Sequence, residues 1–283
     1  MSLFDRIAAV QQWRPEVFRP LYADGVCIGR VRDETARALA DFPRVVTVRP
    51  DHVAINDGLG DVNARSRAVA DVMAELVERG NAPRLRGEVY GVSETWDAPA
   101  RLWLDRGVVP TLGVRSYGVH VNGYVAGAPE PLVWVGRRAP DKRVAPGKLD
   151  HLVAGGLAHG DSAAATVVRE AEEEAGMAED LARTARPVGS LAYRCEAEGG
   201  LRDDVLFIYD LDLPETFEPV NQDGELVGFE RWNASAVLAE LRAGDAFKFN
   251  VGPVLIDFLV RHGVIGPDTE TGYPDLCHAL HVG

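Results

Sequence analysis

Glu170, Glu173 and Glu174 stand three and four residues apart in TVVREAEEEAGM. With Glu170 at zero and a turn of about 100° per residue, Glu173 falls near 300° and Glu174 near 40°, so the three share an arc of about 100°. Ala164, Val168, Ala171 and Ala175 gather on a different arc, which predicts a helix with one acidic and one apolar face. Like charges at this spacing destabilise a helix, and two carboxylates about 4 Å apart repel by about 4 kcal/mol at an effective dielectric near 20. Such a group takes up protons, splays into water or binds a cation. A solvated acidic face is the ordinary outcome; a hard divalent cation is the chemical one. Mg²⁺, with Mn²⁺ as its substitute, takes oxygen ligands, keeps several waters and bridges one or two carboxylates to a phosphate.

Just upstream, RRAPDKRVAPGK places Arg137, Arg138, Lys142, Arg143 and Lys148 against the single acid Asp141. The whole chain has 43 acidic and 30 basic residues and a net charge of -13, so this run reverses the local sign. A polyanion binder needs many phosphate-neutralising cations, which argues against a nucleic acid polymer and means that any phosphate handled is small and held by this local basic patch or by a metal. Hydrolysis also needs an activated water and a base to take its proton. Glu225 in the acidic loop NQDGELVGFERW is the first choice of base, ahead of Glu230 in the same loop and Glu173 on the helix.

These residues need a scaffold, and 283 residues with 46% hydrophobic and 26% charged content are enough for two domains. Val62 to Arg79 reads as a helix through Val69, Val72, Met73, Leu76 and Val77, with Gly80 as its stop. FRPLYADGVCIGRV and RVVTVRPDHVAI read as strands bounded by turn residues. RSYGVHVNGYV and PLVWVGRR read as a strand pair joined by the turn AGAPEP, followed by strands ARPVGSLAYRC and DDVLFIYDLDL and by helices AVLAELRAG and GPVLIDFLVRHG. A boundary before this second pattern divides the chain into residues 1–112 and 113–283. Cys27, Cys195 and Cys277 form no C-x-x-C pair, so neither a disulfide framework nor a thiolate zinc site is indicated. The opening MSLFDRIAAVQQW lacks a long apolar run, and no stretch of eighteen apolar residues exists, so a cytoplasmic protein without membrane partners is expected.

The glutamate segment in its frame resembles the Nudix box. That motif runs Gly, five residues, Glu, seven residues, Arg-Glu, an aliphatic, any residue, Glu-Glu, any residue, Gly, an aliphatic. Gly155, Arg169, Glu170, Glu173, Glu174 and Gly176 fall in place; Asp161 replaces the first Glu, Ala171 is small for its slot and Met177 fills the last. The resemblance implies that Glu170, Glu173 and Glu174 hold a divalent metal with the Ala154 carbonyl, that Arg169 orients a glutamate, and that Gly155 and Gly156 allow close backbone approach. It implies an α+β fold, a Nudix α/β/α sandwich with a mixed sheet, preceded by a smaller α+β domain that covers substrate or makes a homodimer.

Over nearly its whole length the chain is similar to two-domain Nudix proteins related to a thiamine pyrophosphokinase-associated module. That similarity implies hydrolysis of a damaged thiamine diphosphate-like compound to monophosphate and phosphate. 8-oxo-dGDP or a nucleotide sugar is the alternative substrate, and a non-catalytic ligand-binding module is the alternative of another class. If a ring is bound, strand alternation sets His120 and Asn122 on one face with Tyr124, and Arg115 and Tyr117 on the other. Arg115, Tyr117, His120 and Asn122 are the candidate wall, with Arg137, Arg138 and Lys148 on the phosphates.

Overall fold

The computed structural model describes residues 2–127 and 129–281. Helix α1 (Leu3–Ala9) opens with a reciprocal cap: the Ser2 hydroxyl accepts from the Asp5 N–H, and the Asp5 carboxylate accepts from the Ser2 N–H. FRPLYADGVCIGRV folds into two strands rather than one, β1 (Phe18–Ala23) and β2 (Val26–Arg32). The break falls at Asp24 and Gly25, both with positive φ, 49° and 73°, as a two-residue hairpin requires. After α2 (Asp33–Leu39), RVVTVRPDHVAI likewise divides, into β3 (Val46–Val48) and β4 (Val53–Ile55). The four strands form one sheet in the order β2-β1-β4-β3.

Helix α3 (Val62–Glu78) follows, N-capped by the Asp61 carboxylate and stopped at Gly80, φ 73°. Its Val69, Val72, Met73 and Leu76 are buried with Leu21, Val31, Val53 and Ile55 of the sheet, as the helical periodicity predicts. Strands β5 (Val89–Val92) and β6 (Leu102–Asp105) make a separate antiparallel pair, and α4 (Val109–Leu112) leads out to Gly113.

The larger sheet comprises β7 (Arg115–Val125), β8 (Leu132–Arg138), β9 (Leu149–Asp150), β10 (Val153–Gly156), β11 (Arg186–Ala197), β12 (Gly200–Asp212) and β13 (Leu226–Asn233). It is mixed, as expected. β7 runs parallel to β12 along most of its length and antiparallel to β10 through Gly118–Val121. The β7–β8 pair expected from the sequence is confined to Tyr124–Val133 and Val125–Leu132. Ala128, in the turn between them, lies outside the described residues.

Helix α5 (Ala163–Ala175), followed by the short α6 (Glu179–Ala182), covers one face of this sheet, where Val167, Ala171 and Ala175 pack with Val119, Val121 and Leu211. Helices α7 (Ala234–Ala243), α8 (Val251–Arg261) and α9 (Tyr273–His281) cover the other, where Val254, Leu255 and Phe258 pack with Tyr124, Leu206 and Ile208. This is a three-layer α/β/α sandwich. Its second helical layer also includes α1, whose Leu3 and Ile7 belong to the same cluster. The first residues of the chain thus pack with the last.

Candidate active site

Strand β10 carries Gly155 and Gly156 beneath α5. A Cβ on Gly155 would stand 2.1 Å from Cδ of Glu170, and one on Gly156 would stand 1.7 Å from Oη of Tyr90. The missing side chains are therefore what let the acidic helix press on one glycine and the first domain on the other. Ser162 caps α5 by accepting from the Ala165 N–H, and Gly176, with φ 60°, ends it. Those two ends fix the register of the glutamates.

Arg169 ties the cluster together. Nη1 donates to Glu170 Oε1 at 2.7 Å and lies 3.6 Å from Glu173 Oε2, while Nη2 lies 3.5 Å from Asp161 Oδ2. The shorter acid at position 161 thus still reaches the guanidinium. Glu174 is 4% exposed and accepts from the Ala154 N–H at 2.8 Å, which ties the strip to the acid helix. Burial, then the charges of Glu170, Asp150 and Glu225, hold Glu174 well above the ordinary carboxylate range against that N–H. Burial also raises Glu170, over the opposition of Arg169. Glu173 is half exposed.

The donor set is all oxygen, and two of its carboxylates carry a cost for their charge that a bound cation would offset, so these residues fit a hard divalent ion. When bound, such an ion would lower the pKa of a coordinated water and neutralise phosphate oxygens. As they stand, Glu170 and Glu174 each have a separate partner. Among the described residues no three His, Cys, Asp or Glu side chains converge on a single metal-sized point.

The backbone Ala154–Gly156 forms part of the wall of a cavity of about 1070 Å³. The Glu170 and Glu174 side chains meet this strip, and none of the three glutamates is in the wall. Among the described lining residues eight are Lys or Arg and four are Asp or Glu. That reversal, in a chain with net charge -13, gives the cavity a locally positive balance.

The sequence-predicted basic run divides at this wall. Arg138, Lys142 and Arg143 line the cavity; Arg137 and Lys148 do not. Arg137 follows the alternation of β8 to the opposite face, where Nη2 lies 3.2 Å from Glu230 Oε1, and Lys148 turns to Asp245 Oδ2 at 2.7 Å. Glu230 is thereby drawn away from the cavity as well. Glu225 lines it, 3.3 Å from Lys142 Nζ and 3.8 Å from Arg138 Nη1.

Of the candidate wall residues, Tyr117 and His120 line the cavity, whereas Arg115 and Asn122 do not. Arg115 pairs with Asp203 at 3.2 Å, and Asn122, 1% exposed, donates to Asp210 Oδ1 at 3.0 Å. Both are tied to the neighbouring strand β12. His120 Nδ1 lies 2.9 Å from His151 Nδ1, and both rings are buried. Burial lowers His151 to about 4, and it lowers His120 well below the usual histidine value. Next to them Asp150 Oδ2 accepts from Arg138 Nη1 and from Lys248 Nζ, both at 2.9 Å. Although burial opposes its charge, Lys248, the two histidines and Arg138 hold Asp150 far below its usual range.

Sequence reasoning missed Arg86, Tyr90, Arg106, Arg202 and Lys248, all in the cavity wall. They come from separate stretches of the chain, and no local run of cations announces them. Tyr90 and Arg106 reach the cavity because the β5–β6 pair docks on the loop between β10 and α5. There the His159 N–H donates to the Val89 carbonyl at 2.9 Å, and its ring lies 3.9 Å from that of Trp103.

A glycine strip and an acid helix at the wall of a cationic cavity define a hydrolase that acts on phosphate anhydrides. The comparisons with known proteins agree. The model described as NUDIX domain matches residues 116–251, and the one described as Domain of unknown function (DUF4743) matches residues 2–116. Nudix hydrolase 20, chloroplastic, of Arabidopsis thaliana is 39% identical over 272 residues, covering 93% of this chain and 72% of that protein. Nudix hydrolase 24, chloroplastic, of the same plant is 40% identical over 268 residues, covering 94% and 73%. Among solved structures, DR0079 from Deinococcus radiodurans aligns with a TM-score of 0.44 at 22% identity, over 60% of this chain and 98% of its own. The chain belongs to the Nudix hydrolase family.

Proposed function

We propose that this protein is a divalent-metal-dependent diphosphatase, Mg²⁺ being the working ion, that cleaves a small organic diphosphate to a monophosphate and phosphate. The observation that carries this reading is the Ala154–Gly156 strip, shared by the glutamate helix on one side and a cavity with twice as many cations as acids on the other. Glu170, Glu173 and Glu174 are its metal ligands, Arg169 their positioning residue, and Glu225, which lines the cavity, the base. Arg138, Lys142 and Arg143 hold the phosphates, with Tyr117 and His120 beside the organic group. A damaged thiamine diphosphate-like compound is the substrate proposed, on the resemblance read from the sequence alone; an oxidised nucleoside diphosphate or nucleotide sugar is the competing choice.

The division at residues 1–112 and 113–283 is part of the same proposal, supported by family models that meet at residue 116. A cytoplasmic location goes with it as an expectation, the two plant relatives being named chloroplastic. Among the described residues no helix is long and apolar enough to cross a membrane. The test is phosphate release from a panel of diphosphates with Mg²⁺. Preference for oxidised thiamine diphosphate supports the substrate reading, preference for 8-oxo-dGDP or a nucleotide sugar replaces it, and binding without turnover would make the protein a ligand-binding module.

A further inference from the structure

The cavity draws its cations from both halves of the chain. Arg86 and Arg106 flank the β5–β6 pair of the first domain, and Arg143 and Arg202 line the same cavity from the sandwich. Three of the four have a carboxylate at hand: Arg106 with Glu88 at 2.8 Å, Arg143 with Glu198 at 3.2 Å, and Arg202 with Asp204 at 3.6 Å. Among the described residues no carboxylate lies within 4.0 Å of the Arg86 guanidinium. Burial, then the like charges of Arg106, Arg143 and Arg202, lower its pKa from the usual arginine value. Four guanidiniums gathered in one cavity, one of them without an acid, repel as the three glutamates do, and an anion between them relieves the repulsion.

We propose that the first domain completes the substrate site: Arg86 binds the anionic diphosphate end of the substrate across the cavity from Arg143 and Arg202. This rests on the diphosphatase reading for the identity of the ligand. The docking of the first domain gives it a fixed geometry. Tyr90 Oη stands where a Gly156 Cβ would be, and Arg106 Cζ lies 3.4 Å from the same point. The strip that carries the acid helix therefore also carries the arginine-bearing pair. Neither domain alone presents all four guanidiniums, so a diphosphate is held firmly only by the full chain. Arginine suits this role because its planar fork pairs with two phosphate oxygens at once.

The experiment uses the full-length protein and inorganic pyrophosphate, titrated calorimetrically in EDTA so that binding is read without metal or turnover. Arg86→Gln is expected to weaken pyrophosphate binding about tenfold, as loss of one charge-assisted contact would, and Arg86→Lys to recover part of it. With Mg²⁺ and a substrate that is turned over, Arg86→Gln raises KM about tenfold and leaves kcat within about twofold. Arg86 is exposed at the cavity wall and bears no internal ion pair, so the variant folds. Equal pyrophosphate affinity in parent and Arg86→Gln, or no binding by the parent, overturns the inference. If Arg86-dependent binding is found with no hydrolysis of any diphosphate, the inference stands and the diphosphatase reading fails; hydrolysis indifferent to Arg86 has the reverse meaning.

Discussion

At the scale of single residues, what distinguishes the site is how many charged or titratable groups are buried beside one another. His151 is lowered to about 4 from a usual 6.5, and His120 moves the same way. A histidine whose folded pKa is depressed contributes stability that is fully present above 6.5 and is lost as pH falls through 4, because the unfolded chain takes the proton first. The His151 shift is worth on the order of 3 kcal/mol. Urea midpoints measured from pH 7 down to pH 4 should therefore fall more steeply in the parent than in a His120→Asn, His151→Asn double variant; identical slopes would contradict the burial of the pair. Asp150 binds both Arg138 and Lys248, so Asp150→Asn leaves two cations short of a partner and is expected to cost roughly 3–5 kcal/mol in denaturant titrations.

The acidic arc of α5 was legible in the sequence because three glutamates fall at helical spacing; their partners were not, since Glu170 turns to Arg169, Glu174 to the Ala154 N–H, and Glu173 stays half exposed. Arg138, Lys142 and Arg143 were legible as a charge run. The same run misassigned Arg137 and Lys148, since a run shows charge but not the face of a strand or the turn that carries it away.

At the scale of elements, β10 is a close fit on both of its glycines. Two glycines admit the acid helix to one residue and Tyr90 to the next. Gly156→Ala forces Tyr90 aside and is expected to cost about 1–3 kcal/mol. Tyr90→Phe removes the nearest atom and should recover most of that loss in the double variant, a coupling that thermal melts of the four proteins would reveal as non-additivity. The long elements were readable: α3 and α8 follow their apolar periodicity, and β7 and β12 their β-branched runs, while α5 lies where expected but buries Val167 with Ala171 and Ala175 and leaves Ala164 exposed. The pairings were not. Adjacency in sequence suggested β7 with β8, yet β7 buries most of its edge against β12 and β10, because the acid helix between β10 and β11 returns the chain to the opposite edge. The two N-terminal hairpins were hidden for a simpler reason: the two-residue turn Asp24-Gly25 and the four-residue connection 49–52 occupy too little sequence to break a strand-like composition.

At the scale of the whole molecule, the chain closes on itself. Leu3 and Ile7 of α1 lie in the cluster formed by α8, α9 and the large sheet, so the first turn of the protein stabilises its last helices. Leu3→Ala and Ile7→Ala should each cost about 2–5 kcal/mol and lower the stability of the sandwich, as read by denaturant unfolding of the full chain; no change would mean that α1 is a loose appendage. None of this was visible in a sequence whose opening residues read only as lacking a long apolar run. The site itself is a whole-molecule product, an acid helix and a cationic cavity meeting at one glycine strip in a protein of net charge -13.

Phosphate release by Glu173→Gln, compared with the parent at saturating Mg²⁺ on the best diphosphate of the panel, tests the account most directly. The account predicts a loss of at least about 10²-fold, with circular dichroism and the melting temperature close to those of the parent, because Glu173 is half exposed and holds no core contact. Turnover equal to that of the parent in a folded Glu173→Gln protein would contradict it.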